Sequence, residues 1–215
     1  MRNFHSLNTA TAAVLSVVAA MAATSARAEM PKLIDEAAGF YAGAGIGRSD
    51  YQDGCNSPGA VTSNCDTRDT AWKAYGGYQL NKWLSGEVGY LDFGNANYGG
   101  TFSGTPFSAQ TKTWGISAHA VGQVPIPIDN SWLNKISILG KIGTVYWDQK
   151  VDSSIGPISG SDTGWGLAWG LGLQYTFNEH VGIRAEWEQF NNVGTASTGG
   201  QSDIQMWTIG VNYKF

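Results

Sequence analysis

The stretch GWGLAWGLGLQYTF, residues 164–177, alternates at a period of two. Trp165, Leu167, Trp169, Leu171, Leu173, Tyr175 and Phe177 fall on one side, and Gly164, Gly166, Ala168, Gly170, Gly172, Gln174 and Thr176 on the other. Successive side chains of a β-strand point to opposite faces, so this is a strand with two unlike faces. In a half-solvated soluble sheet the second face would carry charges. Here it carries almost nothing. Wide apolar groups on one side and tiny ones on the other suit a narrow barrel whose outer wall meets lipid.

The pattern recurs in seven further segments, at 39–50, 69–80, 83–93, 108–124, 135–148, 180–190 and 204–215. Each is long enough to cross a bilayer at a tilt. The links "NK" (81–82) and "NE" (178–179) are tight, and 124–134 is moderate and Pro-capped. The links 51–68, 94–107, 149–162 and 191–203 are long and rich in Gly, Ser, Thr and Asn. Short turns at one end and long loops at the other predict an all-β fold, an eight-stranded antiparallel up-and-down transmembrane β-barrel. Strand direction then places Tyr78, Trp83, Tyr175, Phe177, Tyr213 and Phe215 near the short-turn end. Trp72, Tyr90, Trp114, Tyr146, Trp165 and Trp207 fall near the other, so two aromatic belts flank an apolar band. A soluble lipocalin-like barrel would need all these rings inside one small lumen, which its volume excludes.

The first 28 residues read as a secretory signal peptide: Arg2 and His5 precede the apolar run 10–23, and "ARA" at 26–28 has a small-x-small cleavage pattern. Residues 29–38 are then a short periplasmic lead and 39–215 the barrel. Removing the leader takes Arg2 and Arg27 from 13 basic residues, leaving 11 against 17 acidic ones. An acidic exported chain does not point to nucleic acid. Cys55 and Cys65 are the only two cysteines; both lie in the first long link and are expected to form a disulfide. "GAGIG" (43–47) is followed by no helix and is read as small lumen residues rather than a phosphate loop. No pattern predicts a metal site, a cofactor or a catalytic centre. Ser117 and His119 share an inward face, which keeps a lipid- or lipopolysaccharide-modifying enzyme as a minor alternative. Glu186 and Glu188 could be a carboxylate pair, but adjacent Arg184 favours a buried ion network.

The segments AYGGYQLNKWLSGEVGYLDFG (74–94), DTGWGLAWGLGLQYTF (162–177), IRAEWEQFNNVG (183–194) and TIGVNYKF (208–215) resemble the transmembrane domain of the OmpA family across essentially all of 39–215. The resemblance implies a charged lumen network that plugs or gates a narrow path, matched by Glu87, Lys141, Arg184 and Glu186. The family's inward Lys on the fourth strand falls on His119 or Ala120, depending on where the gap is placed, and alternation favours His119; its inward Glu on the sixth strand is Gln174. Alternation adds Lys73 and Glu188 to the inward charges. Phe215 resembles the terminal aromatic read by the outer-membrane assembly machinery. The family's periplasmic peptidoglycan-binding domain has no counterpart in 39–215.

Together these readings predict an outer-membrane protein of a Gram-negative bacterium with a structural or surface-interaction role and at most weak, gated pore activity. Its expected partners are outer-membrane lipid, lipopolysaccharide and the assembly machinery. An adhesin or host-factor binder working through the long loops is the alternative. Removing Arg184 is expected to leave Glu87 and Glu186 partly unpaired, raising conductance or destabilising the barrel.

Overall fold

The computed structural model describes residues 38–52, 60–102, 105–126, 133–154, 159–195 and 201–215. The expected signal peptide, residues 29–37 of the lead and Cys55 lie outside them. The strands are β1 (Gly39–Tyr51), β2 (Ala60–Asp66), β3 (Arg68–Gln79), β4 (Leu84–Phe102), β5 (Thr105–Pro125), β6 (Ile136–Ser153), β7 (Gly160–Thr176), β8 (Val181–Val193) and β9 (Ser202–Lys214). Antiparallel pairing runs β4-β3-β1-β9-β8-β7-β6-β5, and β5 returns to β4. Eight strands thus close on themselves and leave no edge in the ring, which satisfies the backbone where water is absent.

Three differences from the sequence reading concern the long-loop end; one is that much of the link 149–162 is strand, with β6 continuing to Ser153 and β7 starting at Gly160. A ninth strand, β2, occupies the link read as loop 51–68 and pairs with Asn97–Phe102 of β4. The link 94–107 is mostly strand as well: β4 and β5 stay paired from Asn95↔Lys112 to Phe102↔Thr105. Beyond the bilayer both faces of a strand can meet water, so pairing there needs no apolar alternation.

The tight turns are built by asparagine. Asn81 Oδ1 accepts from Trp83 N (2.8 Å) and Leu84 N (3.0 Å), and Asn178 Oδ1 accepts from His180 N (2.9 Å) and Val181 N (2.8 Å). Each side chain imitates a backbone turn and reverses the chain within a few residues.

The outer wall is apolar. Phe40, Ile46, Val88, Ile142, Leu173, Ile209 and Val211 are all at least half exposed, as a lipid-facing band requires. Its aromatics gather at two heights. Near the short turns Phe40 packs edge-on against Tyr78 and Tyr213 against Phe215; near the long loops Tyr90 lies between Trp72 and Trp114, and Tyr146 meets Trp165.

Inside, large and small residues interlock across strand pairs. Gly43 faces Tyr75 in register, and Gly77 faces Tyr41. A Cβ on Gly43 would collide with the phenol end of Tyr75, and one on Gly77 with that of Tyr41. These glycines exist to make room for two inward tyrosines, the kind of taper that filling a small barrel demands.

Candidate functional site: a lumen closed at two levels

The middle of the lumen holds six charges, three carboxylates and three cations, each at most 5% exposed. Lys141 Nζ lies 2.5 Å from Glu87 Oε1, 2.5 Å from Glu186 Oε1 and 3.5 Å from Glu188 Oε1. Lys73 Nζ lies 2.5 Å from Glu186 Oε2 and also pairs with Glu188 Oε2. Arg184 Nη1 reaches Glu87 Oε2 at 2.7 Å and Glu186 Oε1 at 3.8 Å. Lys73, Glu87, Lys141, Arg184, Glu186 and Glu188 therefore form one neutral network spanning β3, β4, β6 and β8. Strand alternation aims each of them inward, and closure brings them within reach. Isolated, any of these charges would be prohibitively costly in so dry a place; paired, they offset one another.

His119 borders the network without an ion pair to it. It lies in register with Glu87 and is buried, yet among the described residues it makes no ion pair, and its Nε2 has no hydrogen-bond partner. Its place on β5 puts it beside the carboxylates, at the position where the resemblance implies a lysine.

Three residues that residue-type reasoning undervalued complete the network. Gln174 Oε1 accepts from Arg184 Nε (3.1 Å) and Nη2 (3.0 Å), so a neutral acceptor serves where the resemblance implies a glutamate. Tyr41 OH donates to Glu87 Oε2 at 3.1 Å. The Tyr75 ring is flanked by Arg184 at 4.9 Å, Lys141 at 5.5 Å and Lys73 at 5.7 Å, an aromatic face that attracts all three cations. The only signal for the tyrosines was the pairing of each with a glycine, and that appears only once strand register is known.

A second closure, apolar and unanticipated, lies on the long-loop side. Tyr51, Ala71, Leu91, Phe93, Val145, Trp147, Ala168, Phe190, Ile204 and Met206 form one buried cluster drawn from seven of the eight ring strands. Phe93 and Phe190 meet edge-to-face at 4.9 Å. Each sits beside a register shift, between Asp92 and Asn95 on β4 and between Phe190 and Val193 on β8. Gly94 (φ 71°) and Asn192 (φ 60°) supply the left-handed backbone that these bulges use. On the short-turn side the lumen opens into a polar cavity of about 200 Å³, bounded by Tyr41, Ser85, Gln123, Gln174, Arg184 and Asn212. Water entering from that end reaches Arg184 and meets the ion network, with the apolar layer above it.

Ser117 and His119 are both buried in this lumen, at 3% and 6% exposure. Cys65 lies on β2, in register with Tyr98. Phe215 is 74% exposed at the short-turn end, and its amide donates to the Phe40 carbonyl at 3.0 Å. No group of three or more potential metal ligands occurs among the described residues.

The family description "Outer membrane protein beta-barrel domain" matches residues 10–215. Outer membrane protein A of Klebsiella pneumoniae is 32% identical over 184 residues, covering 82% of this chain and 51% of that protein. The chain thus spans about half the length of the curated relatives it matches. Among solved structures, Neisserial surface protein A superposes with a TM-score of 0.56 at 19% identity, covering 83% of this chain and 99% of that one. OprG from Pseudomonas aeruginosa superposes with a TM-score of 0.52 at 16% identity, covering 82% and 96%. At those identities the likeness concerns the fold.

Proposed function

Since the chain belongs to the outer membrane protein β-barrel domain family and resides in the Gram-negative outer membrane, we propose that it is a closed structural barrel with a surface-interaction role rather than an open porin. The observation that carries this reading is the double closure of the lumen. The ion network fills the centre with paired charge, and the Trp147–Phe93–Phe190 layer excludes water above it. An ion crossing would have to break the first and then strip its hydration in the second. Liposomes carrying the purified protein should therefore swell in isosmotic arabinose no faster than protein-free liposomes. Rapid swelling would replace this reading with that of a diffusion porin.

The surface role draws on the paired extension of β4 and β5 and on β2 beside it, which stand beyond the Trp72–Tyr90–Trp114 belt. A rigid hairpin presents side chains to a partner at lower ordering cost than a loose loop. An enzyme acting on lipid would need its nucleophile and base at the wall or the rim. The burial of Ser117 and His119 in the lumen weighs against that alternative.

The Cys55–Cys65 disulfide belongs to this proposal. It would tie the link before β3 to β2, and closing such a loop contributes about 2–4 kcal/mol in chain-entropy terms. Alkylation of denatured, non-reduced mature protein should label no cysteine, and labelling of both would remove the bridge from the account.

A further inference from the structure

The polar cavity at the short-turn end is a cup whose groups are oriented before anything enters it. Its floor is Arg184, which donates to Glu87 Oε2 through Nη1 at 2.7 Å and to Gln174 Oε1 through Nε and Nη2. Gln174 in turn donates from Nε2 to Thr176 Oγ1 at 3.5 Å, and Gln123 Nε2 donates to Ser137 Oγ at 3.2 Å. Tyr41 OH lies 3.1 Å from Glu87 Oε2 and 3.3 Å from Ser85 Oγ. Side chains fixed in this way lose little freedom when a ligand binds.

One acceptor in the cup is unspent. Asn212 lines it and is 6% exposed, yet its Oδ1 has no hydrogen-bond partner among the described residues. Such a buried group costs free energy until a donor reaches it. Asn212 stands in register with Gly182 of β8, where a Cβ would come within 2.8 Å of that oxygen. Glycine therefore keeps the acceptor uncovered, as it does where a strand must admit a close approach. The cup is also electrically balanced. Arg184 belongs to a network of three cations and three carboxylates, and at the mouth Glu179 and Lys214 carry opposite charges. A charged ligand would bring an unmatched charge against that network, whereas a neutral one would not.

We propose that this cup binds one neutral pyranose, either free or as the end of a glycan, with Asn212 Oδ1 accepting from a ring hydroxyl. Amides, hydroxyls and a guanidinium surround the space, so the ligand must be polar on every side. A hydroxyl both donates and accepts, which lets one ring of hydroxyls serve the Asn212 acceptor and the facing N–H donors together. The cavity of about 200 Å³ has the room of about six or seven waters at roughly 30 Å³ each, which admits a single sugar ring. The sugar enters and leaves by the same mouth, because the ion network closes the floor. The inference needs only that network, and neither the apolar layer nor the long-loop strands.

The test is saturation-transfer NMR on the full chain, folded in a detergent without a sugar headgroup, with D-glucose as the probe. Wild type should bind glucose with a Kd on the order of millimolar. Asn212→Ala should weaken binding about fivefold, the worth of one hydrogen bond, while Gln110→Ala at the long-loop end should bind as wild type. Glucuronate and glucosamine, which carry charges of opposite sign, should both bind more weakly than glucose. Maltotetraose separates the two sources. Tighter binding than glucose, with saturation confined to a terminal ring, assigns the site to a glycan end, and weaker binding assigns it to the free sugar. Heat-modifiable migration establishes that each variant is folded. Absence of transfer to both neutral sugars would overturn the proposal and leave the cup to water. Equal binding by wild type and Asn212→Ala, or binding of a charged analogue as tight as that of glucose, would overturn it too.

Discussion

Replacing Lys141 with alanine is expected to cost the folded barrel about 3–5 kcal/mol. Lys141 is the one cation that touches all three lumen carboxylates. Without it Glu87 keeps Arg184, and Glu186 and Glu188 share Lys73, which leaves one negative charge unmatched in a site that water reaches only from one end. Breaking a buried pair is expensive for that reason, whereas removing both partners is not. The double variant Lys141→Met with Glu87→Met should thus recover most of the loss, since Arg184 and Lys73 then balance Glu186 and Glu188. Urea unfolding in lipid vesicles, followed by the gel shift between folded and unfolded bands, measures both. A single variant as stable as wild type would show that the network is decorative.

The second large effect belongs to the apolar layer. Trp147 is 2% exposed and packs into the cluster with Leu91, Phe93, Phe190 and Met206. Truncation to alanine removes a whole ring from a place that cannot collapse, because barrel strands hold their spacing by backbone pairing. Such losses run to about 3–5 kcal/mol. The Trp147 Nε1 has no hydrogen-bond partner, so the loss would be one of packing alone. The same unfolding assay reads it, and a change below about 0.5 kcal/mol, the scale of an ordinary surface substitution, would place Trp147 outside the closure.

Much of this was legible in the sequence, and the exceptions have physical causes. The alternation of 164–177 announced the lipid-facing wall because an apolar band is imposed at every second residue by the bilayer itself. Asn81 and Asn178 marked the tight turns because their side chains close them. The inward charges could be located by parity; the structure brings six of them into ion pairs, and His119 lies beside them in register with Glu87. Their partners could not be foreseen, since contact across a lumen depends on barrel register. Gln174, Tyr41 and Tyr75 became part of the network only once that register was known.

The apolar layer was hidden differently. Leu91, Val145, Trp147 and Met206 stand at inward parity, but a face scanned for small and polar residues in 164–177 gave no reason to expect a hydrophobic plug one storey higher. Phe93 and Phe190 sit beside bulges, where strict alternation fails. The extension of β4 and β5 went unread because its Gly, Asn and Ser content is shared by loops and by hairpins that stand in water.

The two closures change what removing Arg184 should do. Glu87 retains Lys141, Glu186 retains Lys141 and Lys73, and the apolar layer remains in place. Loss of Arg184 should therefore destabilise the barrel without opening it, which narrows the expectation drawn from the sequence. Single-channel recording in planar bilayers tests the central claim of a doubly closed lumen most directly. Wild type, Arg184→Ala and Trp147→Ala should each show at most rare, brief openings, and only the combined Arg184→Ala and Trp147→Ala variant should carry sustained current. Large, steady currents through the wild-type protein would contradict the account.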